Sequence, residues 1–160
     1  MTIKVGDRLP EAEFLVPGTD SAEKKTTAEI FAGRKVVLFA VPGAFTPTCN
    51  ALHLPGYLIN HDALKAKGVD VIACTAVNDV HVMRAWGKAT ASEGKILMLS
   101  DGNADFARAI GLDNDSTGSK MGIRSRRYSM YVVDGVVKQL NVETRPGVNV
   151  SGAETVLSQI

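Results

Sequence analysis

Cys49 is the residue with the most chemistry to offer, because of what stands before it. The stretch Val41–Cys49 reads V-P-G-A-F-T-P-T-C, and the apolar run Val36–Val41 leads straight into it. Behind it the spacing becomes helical, so the cysteine is expected where a buried strand hands over to a helix. Thr46 suits the N-cap, and Pro47 suits the first helical position, where a missing N–H costs nothing. Thr48 and Cys49 then fall in the first turn. Backbone N–H groups there have no helical partner, and the helix dipole presents its positive end. A cysteine so placed is expected to carry thiolate at neutral pH. Thr46 and Cys49 are three apart and can share one side of the turn. A nucleophilic sulfur, a hydroxyl and free N–H groups would meet at one point, which suits a small polar substrate with electronegative atoms. The competing reading is an ordinary half-buried cysteine near a helix start.

The remaining chemistry-bearing residues are fewer. Cys74 lies in V-I-A-C-T, the habitat of an inert buried thiol. Its alternative role is to resolve an oxidised Cys49 by forming a Cys49–Cys74 disulfide after local movement. No C-x-x-C is present, which argues against a disulfide reductase of the thioredoxin kind. Arg124, Arg126 and Arg127 form a basic run that by itself reads as a solvated edge or an anion patch. His53, His61 and His81 have no metal-ligand spacing with the cysteines. His53, four residues after Cys49, reads as a packing or hydrogen-bonding group near a subunit contact, with a Cys–His pair as the alternative. Trp86 reads as core or interface packing near the site.

The elements that position these residues follow from pattern and punctuation. A short extended piece near Glu13–Val16 comes first, and Pro17-Gly18 turns the chain. Thr26-Thr27-Ala28-Glu29 is a capping box for a short helix, Ala28–Ala32, with a plain turn as the alternative. Lys35–Val41 is a strand apolar enough to be buried on both faces. The helix opened at Thr46 is expected to reach about Lys67, kinked or broken near Pro55. Val69–Val77 is a second buried strand, and Asn78 is expected to cap the helix Asp79–Thr90. Ile96–Leu99 is a short strand, Ala104–Ile110 a helix, and Asp113–Ile123 a surface loop, whose Asp113–Met121 part is a candidate border for the substrate mouth. Arg127–Val133 and Val136–Val142 alternate around Asp134-Gly135, a strong hairpin signal. Ser151-Gly-Ala-Glu154 reads as a capping box for a last helix to Ile160. The alternating first half implies parallel crossovers and the hairpin adds antiparallel strands, giving a mixed central β-sheet flanked by helices, an α/β fold.

Composition excludes several classes. The 160 residues suit one domain with a full core, 1–160. The formal net charge of +1 gives no general nucleic-acid or membrane surface. No apolar run approaches the ~18 residues of a membrane span. The first residues lack a signal- or transit-peptide pattern, and two cysteines do not make a disulfide scaffold, so a cytoplasmic location is expected.

The run P-G-A-F-T-P-T-C resembles the peroxiredoxin active-site motif, P-x-x-x-T-x-x-C. With His53-Leu54-Pro55-Gly56-Tyr57 behind it, it is similar to the type II, or peroxiredoxin-5-like, branch. Val77-Asn78-Asp79, Ala85-Trp86-Gly87, Gly122–Ser129 and Leu140–Glu143 extend the resemblance over essentially the whole chain. It implies a thioredoxin-like fold and a thiol peroxidase that reduces hydrogen peroxide and organic hydroperoxides through a sulfenic acid on Cys49. It implies that Thr46 and Arg127, the arginine just before the aromatic-Ser pair, join Cys49 in the site, with Pro42 shielding the sulfur. Together with the Thr48 and Cys49 N–H groups, Thr46 and Arg127 would stabilise charge moving from sulfur to the leaving oxygen. No metal or organic cofactor is implied, and a homodimer is. Branch members that close a disulfide through a C-terminal cysteine carry it where this chain reads Val148-Asn149-Val150-Ser151. An outside thiol is then expected to reduce the sulfenic acid, glutathione with glutaredoxin ahead of thioredoxin. The reading outside enzymology is a redox sensor or chaperone signalling through oxidised Cys49.

Overall fold

The computed structural model describes residues 2–160. Its centre is a seven-stranded mixed sheet in the order β2-β1-β5-β4-β3-β8-β9. The strands are β1 (Glu13–Pro17), β2 (Ala22–Thr26), β3 (Lys35–Ala40), β4 (Val71–Ala76), β5 (Leu97–Ser100), β8 (Tyr128–Val133) and β9 (Val136–Val142), with β6 (Asp113–Asp115) and β7 (Ile123–Ser125) forming a small separate ladder. β3 runs parallel to β4, and β4 to β5, while β8 is antiparallel to β3 and to β9. The mixed sheet is as the sequence pattern predicts, and the thioredoxin-like architecture is the one the resemblance implies.

β3 explains why the sheet can hold a reactive group steady. Val36, Val37, Leu38, Phe39 and Ala40 are all fully buried. Period two sends Val36, Leu38 and Ala40 to one core, with Phe14, Phe31, Phe106 and Met130. Val37 and Phe39 go to the other, with Cys49, Tyr57, Cys74 and Trp86. Each large side chain so buried contributes roughly 1.5–3 kcal/mol. Phe39 also stacks on Tyr57, ring centroids 4.0 Å apart and planes 1° from parallel.

Helices cover the sheet: α1 (Thr27–Phe31), α2 (Leu54–Ile59), α3 (His61–Ala66), α4 (Val80–Ala89), α5 (Asp105–Ala109) and α6 (Ala153–Gln159). The Thr26/Glu29 capping box forms as expected. One strand was not foreseen, and three expectations need correction. Charged β2, A-E-K-K-T, pairs with β1 as an exposed edge and has too little apolar character to read as a strand. The 113–123 segment contains the β6–β7 ladder, held by register and not by burial. Asp79 caps α4, accepting from Val82 N–H at 2.9 Å, so Asn78 is released for another task. Gly152 occupies the N-cap of α6, because the Ser151 hydroxyl is bonded to Glu143.

Candidate active site

The site is built where β3 ends. Val41 N–H donates to the Thr75 carbonyl at 3.1 Å, and the chain then leaves the sheet in a tight loop. Phe45 takes φ of +65°, the left-handed region, at a cost on the order of 1–3 kcal/mol. Its neighbours hold it there. Ala44 N–H donates to Asn78 Oδ1 at 2.9 Å, and the Thr46 hydroxyl donates to the Gly43 carbonyl at 2.7 Å. A Cβ on Gly43 would lie 3.0 Å from Thr46 Cγ2 and 3.3 Å from Arg124 Nη1, so any larger residue there would make those side chains shift by a few tenths of an ångström.

The helix begins at Pro47, and its early turns are wide. Cys49–His53 forms a π-helical turn in which Leu54 N–H donates to the Cys49 carbonyl five residues back. The expected break at Pro55 is instead absorbed by this widening, because the turn accommodates a residue that cannot donate. The discontinuity falls later, at Asn60, between α2 and α3. Asn50 N–H reaches the Thr46 carbonyl at 2.9 Å. The N–H groups of Thr48 and Cys49 precede it, in the part of the helix without i−4 partners.

Cys49 is fully buried. Arg127, just before β8, donates from Nη2 to Cys49 Sγ at 3.0 Å and from Nη1 to His53 Nδ1 at 2.7 Å. A guanidinium only donates, so His53 Nδ1 must be bare and its proton must sit on Nε2. His53 Nε2 accordingly donates to the Ser151 carbonyl at 2.9 Å, beside Tyr57 Oη at 2.8 Å on the same oxygen. Burial pulls the His53 pKa down to about 4; the Ser151 bond opposes this and the Arg127 charge adds to it. The imidazole is therefore neutral, and its bond is to Arg127, the hydrogen-bonding role expected of it.

The structure joins Cys49 to Arg127 directly, with Thr46 in the turn just before the cysteine and Pro42 half-buried two residues past the end of β3. Thr46 commits its proton to Gly43, so toward a substrate its oxygen can only accept. Arg124 and Arg126 are not a free edge. Arg124 donates to the Met121 carbonyl at 2.8 Å and the Val77 carbonyl at 3.2 Å, and Arg126 to the Glu143 carbonyl at 3.1 Å. Cys74 lies buried in β4, opposite Phe39 and Met98, and burial pushes its thiol well above the ordinary value. Trp86 is buried and donates to Asn50 Oδ1 at 2.9 Å. Among the described residues, no group of three or more His, Cys, Asp and Glu could hold a metal ion, and no helix is long and apolar enough to cross a membrane.

Sequence reasoning missed Asn78, Ser151 and Glu143. Asn78-Asp79 offered a signal: two capping types in succession, only one of which can cap. Ser151 and Glu143 meet through tertiary structure alone.

Comparison with known proteins matches the Redoxin family model over residues 4–157. The chloroplastic peroxiredoxin-2E-2 of Oryza sativa subsp. japonica is 48% identical, over 99% of this chain and 73% of that protein. Reduced Prx3 of Vibrio vulnificus in complex with hydrogen peroxide superposes with a TM-score of 0.95 at 51% identity, over 99% of each chain. Peroxiredoxin 5 of Alvinella pompejana superposes with a TM-score of 0.86 at 37% identity, over 98% of this chain and 96% of that one.

Proposed function

The chain belongs to the peroxiredoxins, in their type II branch, and from that premise we propose that Cys49 is the peroxidatic nucleophile of this thiol-dependent peroxidase. The observation that carries the assignment is the 3.0 Å donation from Arg127 to Cys49 Sγ at the strand-to-helix junction. The Cys49 thiolate attacks the terminal oxygen of R–O–O–H. An S–O bond forms as the O–O bond breaks, and RO⁻ leaves to take a proton as water or alcohol. Arg127 and the Thr48 and Cys49 N–H groups stabilise charge as it moves onto the leaving oxygen. Thr46 accepts the peroxide O–H and so orients the attacked oxygen. Pro42 limits access of water to the sulfur.

Two equivalents of an external thiol complete the cycle. The first displaces water from the sulfenic acid and forms a mixed disulfide. The second displaces the Cys49 thiolate and leaves as the external disulfide. We assign glutathione with glutaredoxin as the reductant, ahead of thioredoxin, because Val148–Ser151 supplies no resolving cysteine. Cys74 is assigned as inert, a reading supported by its burial in mid-strand. Exposed Phe45, Leu52 and Val150 flank the site, and a homodimer through this face would cover them. Arg124 holds the Met121 carbonyl near Gly43, which supports the 113–121 segment as one wall of the mouth. Residues 1–160 are read as one domain. The compartment is read as cytoplasmic, with the plastid as the alternative suggested by the chloroplastic rice relative.

The test is intact mass and peptide mapping after one equivalent of hydrogen peroxide, with a sulfenic-acid trap, followed by turnover with each reductant. One oxygen trapped on Cys49 and many turnovers with glutaredoxin support the assignment. A Cys49–Cys74 disulfide would make Cys74 the resolver, and a single turnover would favour a sensor.

A further inference from the structure

Glu143 follows β9 directly and is 8% exposed. One of its oxygens, Oε2, accepts four hydrogen bonds. They come from the N–H groups of Asn149, Val150 and Ser151, each at 2.8 Å, and from the Ser151 hydroxyl at 2.7 Å. Its other oxygen, Oε1, is buried without a partner. Through its main chain Glu143 is tied to the site again: its N–H donates to the Arg127 carbonyl at 3.0 Å.

The three residues held by this carboxylate have no regular structure of their own. Yet the Ser151 carbonyl is where His53 Nε2 and Tyr57 Oη both donate. A line of hydrogen bonds therefore runs from Glu143 to the 149–151 loop, to His53, to Arg127 and to the Cys49 sulfur. We propose that Glu143 is a positioning residue for peroxide reduction, aiming Arg127 at Cys49 through the Ser151 carbonyl and His53. This rests on the assignment of Cys49 and Arg127 made above.

The tautomer makes the relay directional. With the Ser151 carbonyl in place, the imidazole proton belongs on Nε2 and Nδ1 accepts from Arg127. If the carbonyl moves away, Arg127 alone keeps Nδ1 bare, and the ring is free to turn. Rings that have turned, or that carry the proton on Nδ1, would face a donor with a donor, and the guanidinium would move off the sulfur. A carboxylate suits the anchor better than an amide, because three converging N–H groups and a hydroxyl bind an anion about twice as strongly as a neutral acceptor. Burial pushes the Glu143 carboxyl up, but the Ser151 hydroxyl and the three N–H groups outweigh it and leave the group below the usual glutamate range.

Glu143→Gln is the decisive variant, read by stopped-flow oxidation of Cys49 with hydrogen peroxide and by ¹⁵N-histidine NMR. We expect the second-order rate to fall about ten- to a hundredfold, the scale of misplacing a reacting group by about 1 Å. The His53 ring nitrogens should leave the pure Nε2–H signature. An unchanged rate, or a lost rate with unmoved His53 resonances, overturns the relay. If Glu143→Gln does not fold, Ser151→Ala removes one of the four bonds and decides instead. It should cost about threefold with a smaller His53 shift, and no change in either overturns the proposal. Cys49→Ser separates the two levels. Peroxide turnover retained in Cys49→Ser would break the parent assignment. A dead Cys49→Ser with an unaffected Glu143→Gln would break the relay alone.

Discussion

Arg127→Gln is the perturbation that reaches furthest into the chemistry. The guanidinium stands 3.0 Å from the Cys49 sulfur. Two unit charges at that distance attract by about 5.5 kcal/mol at an effective dielectric of ~20. Only the part that grows toward the transition state speeds the reaction, since the same charge also steadies the resting thiolate. The loss of one preorganised donor to a developing anion typically costs about 3–4 kcal/mol, and we expect a hundredfold to thousandfold fall in the second-order rate, at about 1.4 kcal/mol per tenfold. Glutamine is shorter than arginine and also leaves His53 Nδ1 without its donor, so a stability loss of about 1–3 kcal/mol should accompany the change. Arg127→Lys keeps the charge but not the fork that serves sulfur and imidazole together. Its rate should fall by only about tenfold, between wild type and Arg127→Gln. Stopped-flow competition for hydrogen peroxide gives the rates, and urea denaturation the stabilities. A folded Arg127→Gln protein reacting within about threefold of wild type would refute the assignment of Arg127 to the reacting atoms.

Three other outcomes follow from the same geometry. His53 has a folded-state pKa of about 4, below the ordinary 6.5. The unfolded chain therefore takes up the proton first as pH falls. This contribution is intact above about 6.5 and is lost between 6.5 and 4, amounting to roughly 3 kcal/mol. Urea midpoints in His53→Gln should be flatter across that window, and equal slopes in the two proteins would reject the link. Phe39→Ala removes the ring stacked on Tyr57 and should destabilise by about 3–5 kcal/mol. A loss below about 1 kcal/mol would mean that the core collapses around the site freely. Asn78→Ala deprives Ala44 N–H of its acceptor and should cost about 1–3 kcal/mol. The Cys49 oxidation rate should fall with it, because the Phe45 turn loosens, and a full-rate variant would show that the loop holds without Asn78.

What could be read in advance was whatever local chemistry decides. β3 was visible because continuous burial needs continuous apolar residues, and the Cys49 turn because Thr46-Pro47 can start a helix. The Asp134-Gly135 hairpin was visible because both residues take positive φ. The capping assignments failed where a side chain had a second hydrogen-bonding task available. Asn78 and Ser151 both have cap chemistry, and tertiary partners claimed them, the Ala44 N–H and the Glu143 carboxylate. The π turn at Cys49–His53 was hidden for a related reason. Pro55 announces that a helical bond is missing, but whether the chain breaks or widens depends on what packs against it. Leu54 and Tyr57, both buried, keep the segment against the sheet.

The two cysteines share a core but not their surroundings. Both are fully buried and belong to the same core. Cys74 sits in mid-strand, where its backbone is committed to the sheet between β3 and β5. Cys49 sits on a turn, where helix N–H groups are unclaimed and a guanidinium reaches its sulfur. Burial alone raises the Cys74 thiol, negative charge on Cys49 raises it further, and Arg127 only partly opposes this. Burial in mid-strand is therefore the main reason Cys74 holds its proton. On this argument we expect oxidising equivalents to enter at Cys49, and peptide mapping after one equivalent of hydrogen peroxide, with the added oxygen found on Cys74 instead, would refute it.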